Sequence, residues 1–180
     1  MKPHVCPASH AGFLSTSLRR LVQNPEKILR EFVLPGRTVA DIGCGPGFFT
    51  LPMARMVGPL GKVIAADLQP EMLDKLRKRA EAAGLRENIT YHRCGTDRIG
   101  LSERVDFVLA FYMVHEVPDP YSFFQEVRGA VNPGGGLLFV EPKFHVTRKG
   151  FQRAVETAER AGWTPGGFPK ILLSRTVLLQ

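Results

Sequence analysis

Asp41 stands two residues before the first of three alternating glycines, Gly43, Gly45 and Gly47, where the apolar run in "VADIGCGPGFFT" ends. A strand that enters a glycine-rich turn and then a helix brings backbone close to a ligand and aims helix N–H groups at it, so the stretch reads as a cofactor seat. Two cofactor chemistries compete for it. The dinucleotide fingerprint is G-x-G-x-x-G, whose third glycine lets the helix pack close beside a pyrophosphate. Here the spacing is G-x-G-x-G, and Phe48 occupies the place of that third glycine. A carboxylate at Asp41 repels a pyrophosphate and attracts a cation. Asp67 ends the next apolar run, "KVIAADL", where an acid can take both hydroxyls of a ribose. The two acids point to a positively charged cofactor that carries a ribose.

The remaining sequence supplies the scaffold. Apolar runs of strand length alternate with helical patterns, as in a parallel sheet with crossover helices. The spacing predicts strands at "RTVADIG", "KVIAADL", "NITYHRC", "VDFVLAFYM" and "GLLFVEP". "PEMLDKLRKRAEAAG" is a helix with Pro70 in its first turn, one face of Met72, Leu73, Leu76 and Ala80, and Gly84 past its end. Asp119 and Pro120 start a second helix, "YSFFQEVRGAV", which "NPGGG" stops. A third carries the stripe Phe151, Ala154, Val155, Ala158 and Ala161, ending at Gly162. The final "WTPGGFPKILLSRTVLLQ" has strand-like residues on both sides of "SR" and no room for another crossover helix, so an antiparallel pair at one sheet edge is expected. Ahead of the first strand, "NPEKILREFV" reads as a helix capped by Asn24, with the stripe Ile28, Leu29, Phe32 and Val33; "AGFLSTSLRRLV" either continues it or forms a second.

In order and spacing, "VADIGCGPGFF", "VIAADLQPEML", "VDFVLAFYMVHEVPD" and "NPGGGLLFVEP" resemble the class I S-adenosylmethionine-dependent methyltransferases. The resemblance runs from about Thr38 to the end. It is closest to small single-domain members acting on small molecules, the group that includes ubiquinone/menaquinone-type and arsenite methyltransferases. It implies an α/β fold: a doubly wound, mostly parallel, seven-stranded sheet with an antiparallel C-terminal strand. It also implies adenosylmethionine, released as S-adenosylhomocysteine, across the ends of the first, second and fourth strands. On that pattern Asp41, Gly43, Cys44 and Gly45 line the methionine part. Asp67 with Leu68 takes the ribose and one adenine face, and Phe111 lies beside the cofactor. Where relatives often read "GDA" after the third strand, this chain reads "CGTD". Either Asp97 serves the adenine from two residues later, or the backbone of Thr96 and Asp97 does so without a carboxylate.

Methyl transfer from a sulfonium is an in-line displacement, and holding the acceptor aligned supplies much of the acceleration. A soft acceptor needs no base, whereas a hydroxyl or amine must give up a proton. The candidates lie where the fourth and fifth strands end: Tyr112, His115 and Glu116 in "FYMVHEVPD", and Glu141, Lys143 and His145 in "EPKFH". His115 is the first choice of base, and Lys143 and His145 suit an anionic acceptor. A purely structural loop role for His115, Glu116 and His145 accounts for the same residues. Cys44 reads as a small packing residue within the turn. His4, Cys6 and His10 with Cys94 lack the tight four-ligand spacing of zinc sites, and no metal is expected.

At 180 residues the chain suits a single domain, 1–180, with 1–37 as a helical lid over the acceptor pocket and 38–180 as the cofactor-binding core. The absence of an inserted substrate domain favours a small acceptor. The net charge of +7 is uneven: residues 1–37 hold six Lys/Arg against two acids, and residues 142–180 hold seven against two. These basic ends admit an RNA substrate, or a non-catalytic module docking on a partner, and equally a solvated face. The fourth strand ends in "AFYM", without the "NPPY" or "DPPY" run that usually marks methyltransferases of base amines, so nucleic acid is not favoured. No apolar run approaches the ~20 residues of a membrane span. No signal peptide is legible, and three scattered cysteines suit reduced thiols, so a cytoplasmic location is expected.

Overall fold

Val63, Ile64, Ala65 and Ala66 are all buried, which consecutive strand residues can be only if helices cover both faces of the sheet. The computed structural model, which describes residue 19 and residues 22–180, has that architecture. Strands β1 (Thr38–Ile42), β2 (Lys62–Asp67), β3 (Ile89–Arg93), β4 (Val105–Phe111), β5 (Val131–Pro142), β6 (Pro165–Gly167) and β7 (Ser174–Leu179) form one seven-stranded sheet. Its order is β3-β2-β1-β4-β5-β7-β6. β1 to β5 run parallel, and β7 is antiparallel to both β5 and β6. Helices α1 (Pro25–Leu29), α2 (Thr50–Val57) and α3 (Pro70–Ala82) cover one face, where Leu29, Met53 and Leu76 pack with Val39 and Leu109. On the other, α4 (Pro120–Ala130) and α5 (Arg148–Arg160) bring Phe124, Phe151 and Ala158 against Ile42, Val108 and Phe139.

Local chemistry sets the element ends. Asp119 Oδ1 accepts from the amides of Tyr121 and Ser122, and Thr147 Oγ1 accepts from that of Gly150, which caps α4 and α5. Met72, Leu73, Leu76 and Ala80 are the buried face of α3, as its spacing predicts. Trp163 Nε1 donates to the Phe124 carbonyl at 2.9 Å and ties the end of α5 to α4.

Three elements depart from the sequence reading. The helix at "NPEKILREFV" stops at Leu29; Phe32 leaves it and stacks on Phe107 at 5.3 Å, so ring packing prevails over helical continuation. "NPGGG" does not lie outside the sheet: β5 starts at Val131, and the register against β4 jumps between Val105 and Phe107. Asp106 sits at that jump and accepts from Asn132 Nδ2 and from the Thr38 amide, pinning the bulge to the start of β1. The expected antiparallel pair exists, but the partner of β7 is Pro165–Gly167. Ile171 instead buries its side chain in the core, and Leu173 turns the chain at φ +62°.

The sheet order reverses between β1 and β4, so the carboxyl ends of β1, β2 and β4 open a crevice at a topological switch point. The glycine turn lies there, and Gly47 fixes its packing: at φ +87° a Cβ would sit 2.2 Å from Leu76 Cδ1 of α3. Gly47→Ala is expected to cost about 2–4 kcal/mol in urea unfolding, combining left-handed strain with overpacking. An unchanged midpoint would show that α3 yields freely.

Candidate active site

β1 delivers Asp41 and β2 delivers Asp67 to the crevice, 2% and 7% exposed. Thr50 Oγ1 donates to Asp41 Oδ2 at 2.6 Å. Burial, opposed by that bond and reinforced by the nearby Asp67 charge, lifts the Asp41 carboxyl to about 7. Asp67 is also raised by burial, against hydrogen bonds from backbone amides. Its Oδ2 accepts from the Gly45 amide at 2.8 Å and its Oδ1 from the Gln69 amide at 2.9 Å.

The turn's amides decide what the seat can hold. Gly43 N and Cys44 N both donate to the Ala66 carbonyl, Gly45 N to Asp67, and Gly47 N to the Cys44 carbonyl. A pyrophosphate cradle presents such amides to its ligand; here they are engaged within the protein, and two acids line the crevice. A Cβ on Gly45 would meet nothing within 4 Å, so this stretch of backbone faces open space. The donor set fits a cationic amine and a ribose diol, the two features of adenosylmethionine that the acids were expected to meet.

The other expected cofactor residues have varied placements. Leu68 is half-buried next to Asp67. Phe111 is 6% exposed, its ring 4.4 Å from those of both Phe49 and Tyr112. Thr96 and Asp97 are exposed in a turn closed by the Gly95 amide on the Arg98 carbonyl. That turn starts beside the crevice, since the Cys94 amide donates to the Asp67 carbonyl. Glu126 of α4 fixes its far end by accepting from the amides of Ile99 and Gly100. Burial raises the thiols of Cys44 and Cys94, the latter to about 12, so both stay protonated. His4, Cys6 and His10 lie outside the described residues.

Sequence reasoning missed Arg19. Its guanidinium lies 4.1 Å from the Phe48 ring centroid and 5.9 Å from those of Phe49 and Phe111. Burial lowers its pKa, opposed by the charges of Tyr112 and Asp41. Only an arginine at helical spacing from Gln23 was visible in the sequence, with nothing to aim it at the glycine turn.

On the acceptor side, the loop after β4 and the end of β5 bring His115 and Glu141 together. Glu141, 2% exposed, accepts from the His115 amide at 2.9 Å and lies 2.6 Å from His115 Nδ1. This pairing sets Nδ1 as the protonated nitrogen and directs Nε2 outward, 3.8 Å from Glu116. Burial lowers the His115 pKa, but the Glu141 hydrogen bond and charge, with Glu116, outweigh it and leave it raised. The ring of exposed His145 lies 4.7 Å from that of His115. Lys143 lines a different surface, a groove beside α5. Tyr112, at φ +63°, has its hydroxyl engaged on both sides: Gln23 Nε2 donates to it at 2.6 Å, and Ser174 Oγ is 2.6 Å away. Ser174 directs its own proton to the Leu172 carbonyl, so Tyr112 donates to Ser174.

The family model described as a methyltransferase domain matches residues 39–135, from β1 into β5. The chain belongs to the methyltransferase-domain family. It is 34% identical over 133 residues to an aklanonic acid methyltransferase of Streptomyces sp. (strain C5), covering 73% of this chain and 57% of the relative. To a ubiquinone biosynthesis O-methyltransferase of Methylobacterium sp. (strain 4-46) it is 34% identical over 136 residues, covering 74% and 52%. The chain thus spans about half the length of these curated relatives. Among solved structures, a SAM-dependent methyltransferase from Aquifex aeolicus superposes with TM-score 0.86 at 27% identity, covering 97% of this chain and 98% of that one. The methyltransferase-type sheet, with its antiparallel β7, is therefore the fold of this chain.

In this methyltransferase domain the His115–Glu141 pair is open to a direct test. By NMR, His115 is expected to titrate above 6.5 in the wild type and at or below it in Glu141→Gln. Equal titration in the two proteins would remove Glu141 as the cause.

Proposed function

We propose that this chain is an S-adenosylmethionine-dependent methyltransferase acting on a hydroxyl of a small-molecule acceptor. The observation that carries the reading is the seat at the switch point, with its turn amides engaged internally and Asp41 and Asp67 buried beside them. Asp41 would hold the cationic methionine amine, and Arg19 lies where it suits the methionine carboxylate. Asp67 would take the ribose diol, with the Thr96–Asp97 turn toward the adenine. When bound, the cofactor supplies a methyl group on a sulfonium, whose sulfur keeps the bonding pair and becomes a neutral thioether.

The chain's own part is to align the acceptor and move one proton. His115 Nε2 takes the proton of the acceptor hydroxyl as the new oxygen–carbon bond forms, and Glu141 stabilises the resulting imidazolium. Raising the His115 pKa strengthens the base. Tyr112, held between Gln23 and Ser174, orients the acceptor wall and is not free to act as a base. Arg19 and Gln23 support the reading of the segment before β1 as a lid over one domain. The relatives' names, one an O-methyltransferase and one a methyltransferase of an acid, support a small acceptor over nucleic acid.

Calorimetry checks the cofactor. Micromolar binding of adenosylmethionine and adenosylhomocysteine is expected, with none of NADH; the reverse selectivity would sink the proposal. Asp41→Asn is expected to weaken the cofactor at least about tenfold. The same variant has a signed effect on stability. A carboxyl raised from 3.8 to about 7 makes the wild type lose stability as pH rises between those values, with no further loss above. Relative to wild type, Asp41→Asn should therefore gain melting temperature from about pH 4 to 7 and then level off. A gain that shrinks with pH would contradict the burial assigned to Asp41.

A further inference from the structure

A cavity of about 810 Å³ runs along the outer edge of the sheet, between α5 and the segment 168–172 that leads into β7. It lies outside the Asp41–Asp67 crevice. Its volume falls in the range of small-molecule sites, roughly 300–1,000 Å³. Four cations line it, Lys143, Arg148, Lys170 and Arg175, against one acid, Glu159. Among the described residues no carboxylate lies within ion-pair distance of any of the four. Arg175 is anchored by its Nε–H on the Val146 carbonyl at 3.1 Å, leaving the rest of its guanidinium free. Like charges gathered without counter-charge raise the free energy of the folded state and favour an anionic occupant.

The cations are interleaved with apolar surface. Phe168 is 66% exposed and Leu172 63% exposed at the cavity wall, facing Phe151 of α5. Exposed apolar groups of that size beside a cluster of cations suit a ligand that is apolar along its body and charged at one end. Ser174 is among the cavity's lining residues and its hydroxyl contacts that of Tyr112. In the sheet order β4-β5-β7, Ser174 at the start of β7 stands two strand spacings, about 10 Å, from β4. A molecule of small-metabolite length spans this distance.

We propose that the groove takes the distal part of the methyl acceptor, and that the acceptor is an amphipathic small-molecule carboxylate. Its apolar body lies on Phe151 and Phe168, its carboxylate among the four cations, and its reacting hydroxyl reaches past Ser174 toward His115. This rests on the methyltransferase reading above. It divides the expected anion-binding pair: Lys143 serves the carboxylate, whereas His145 stays against His115.

The test uses the full chain with adenosylhomocysteine, probed with 2-naphthoate and its neutral isostere 2-naphthamide in ligand-observed NMR titrations. Naphthoate is expected to bind at least about tenfold tighter than the amide and to lose about tenfold in the double variant Arg148→Glu/Lys170→Glu. Adenosylhomocysteine affinity should be unchanged in that variant and its melting temperature equal to or above that of wild type, since both side chains are exposed, away from the crevice, and their replacement relieves the like-charge repulsion. Equal binding of acid and amide, no saturable naphthoate binding in the millimolar range, or an unaffected double variant would each overturn the groove assignment. Cofactor binding on the same samples separates the two readings. If wild type fails to bind adenosylhomocysteine, the methyltransferase reading falls. If it binds, and only the naphthoate contrast fails, the groove assignment falls alone.

Discussion

Two carboxylates buried at the point where the sheet order reverses set the terms for the rest of the molecule. Asp41 and Asp67 come from adjacent parallel strands, and their charges oppose each other in a site that water barely reaches. Burying such groups with no close ion pair among the described residues costs free energy, only partly offset at Asp41 by the Arg19 charge, and the raised pKa values are that cost expressed as protonation. The fold tolerates it because Thr50 and the amides of Gly45 and Gln69 satisfy part of each carboxylate. What remains are carboxylate lone pairs of a kind that suits a cation and hydroxyl donors. The acids also explain the turn: Asp67 occupies the Gly45 amide that a phosphate would otherwise claim.

The acceptor side is built by the same logic from different elements. Glu141 is as deeply buried as Asp41, but it has a titratable partner within hydrogen-bond distance, and its charge is spent on orienting one imidazole. Tyr112 holds the opposite wall in a left-handed backbone conformation that costs of order 1 kcal/mol or more. A chain of hydroxyl contacts through Ser174, together with the Tyr112 amide on the Val140 carbonyl, keeps it there. Strain at the end of β4 is thus offset by β5 and β7. This ties the antiparallel edge to the candidate site as well as to the sheet.

The glycine turn between two acids was legible because its signal is local: an acid, alternating glycines and a second acid one crossover later. Strands and long helices were legible because burial on both faces, or on one stripe, leaves a periodic trace. Where the trace is not local, reading stopped short. Nothing near Phe32 announces that its ring will leave the helix for Phe107, and the apolar "ILL" before "SR" promises a strand while Ile171 serves as a core plug. Arg19 shows the same limit, since a cation over an aromatic cluster is a property of three separate elements.

The sequence by itself therefore determined the α/β class, the parallel run of the inner strands and the charge of the cofactor that the turn suits. Each follows from residue type and short-range spacing, which survive without knowledge of neighbours. Only the tertiary structure decided which of the candidate acceptor-side residues lie together. His115 finds Glu141 across 26 positions, Tyr112 finds Ser174 across 62, and Lys143 parts from His145 although they are two residues apart. Such pairings depend on strand order and register, which bring distant residues within hydrogen-bond reach and turn near neighbours to different partners.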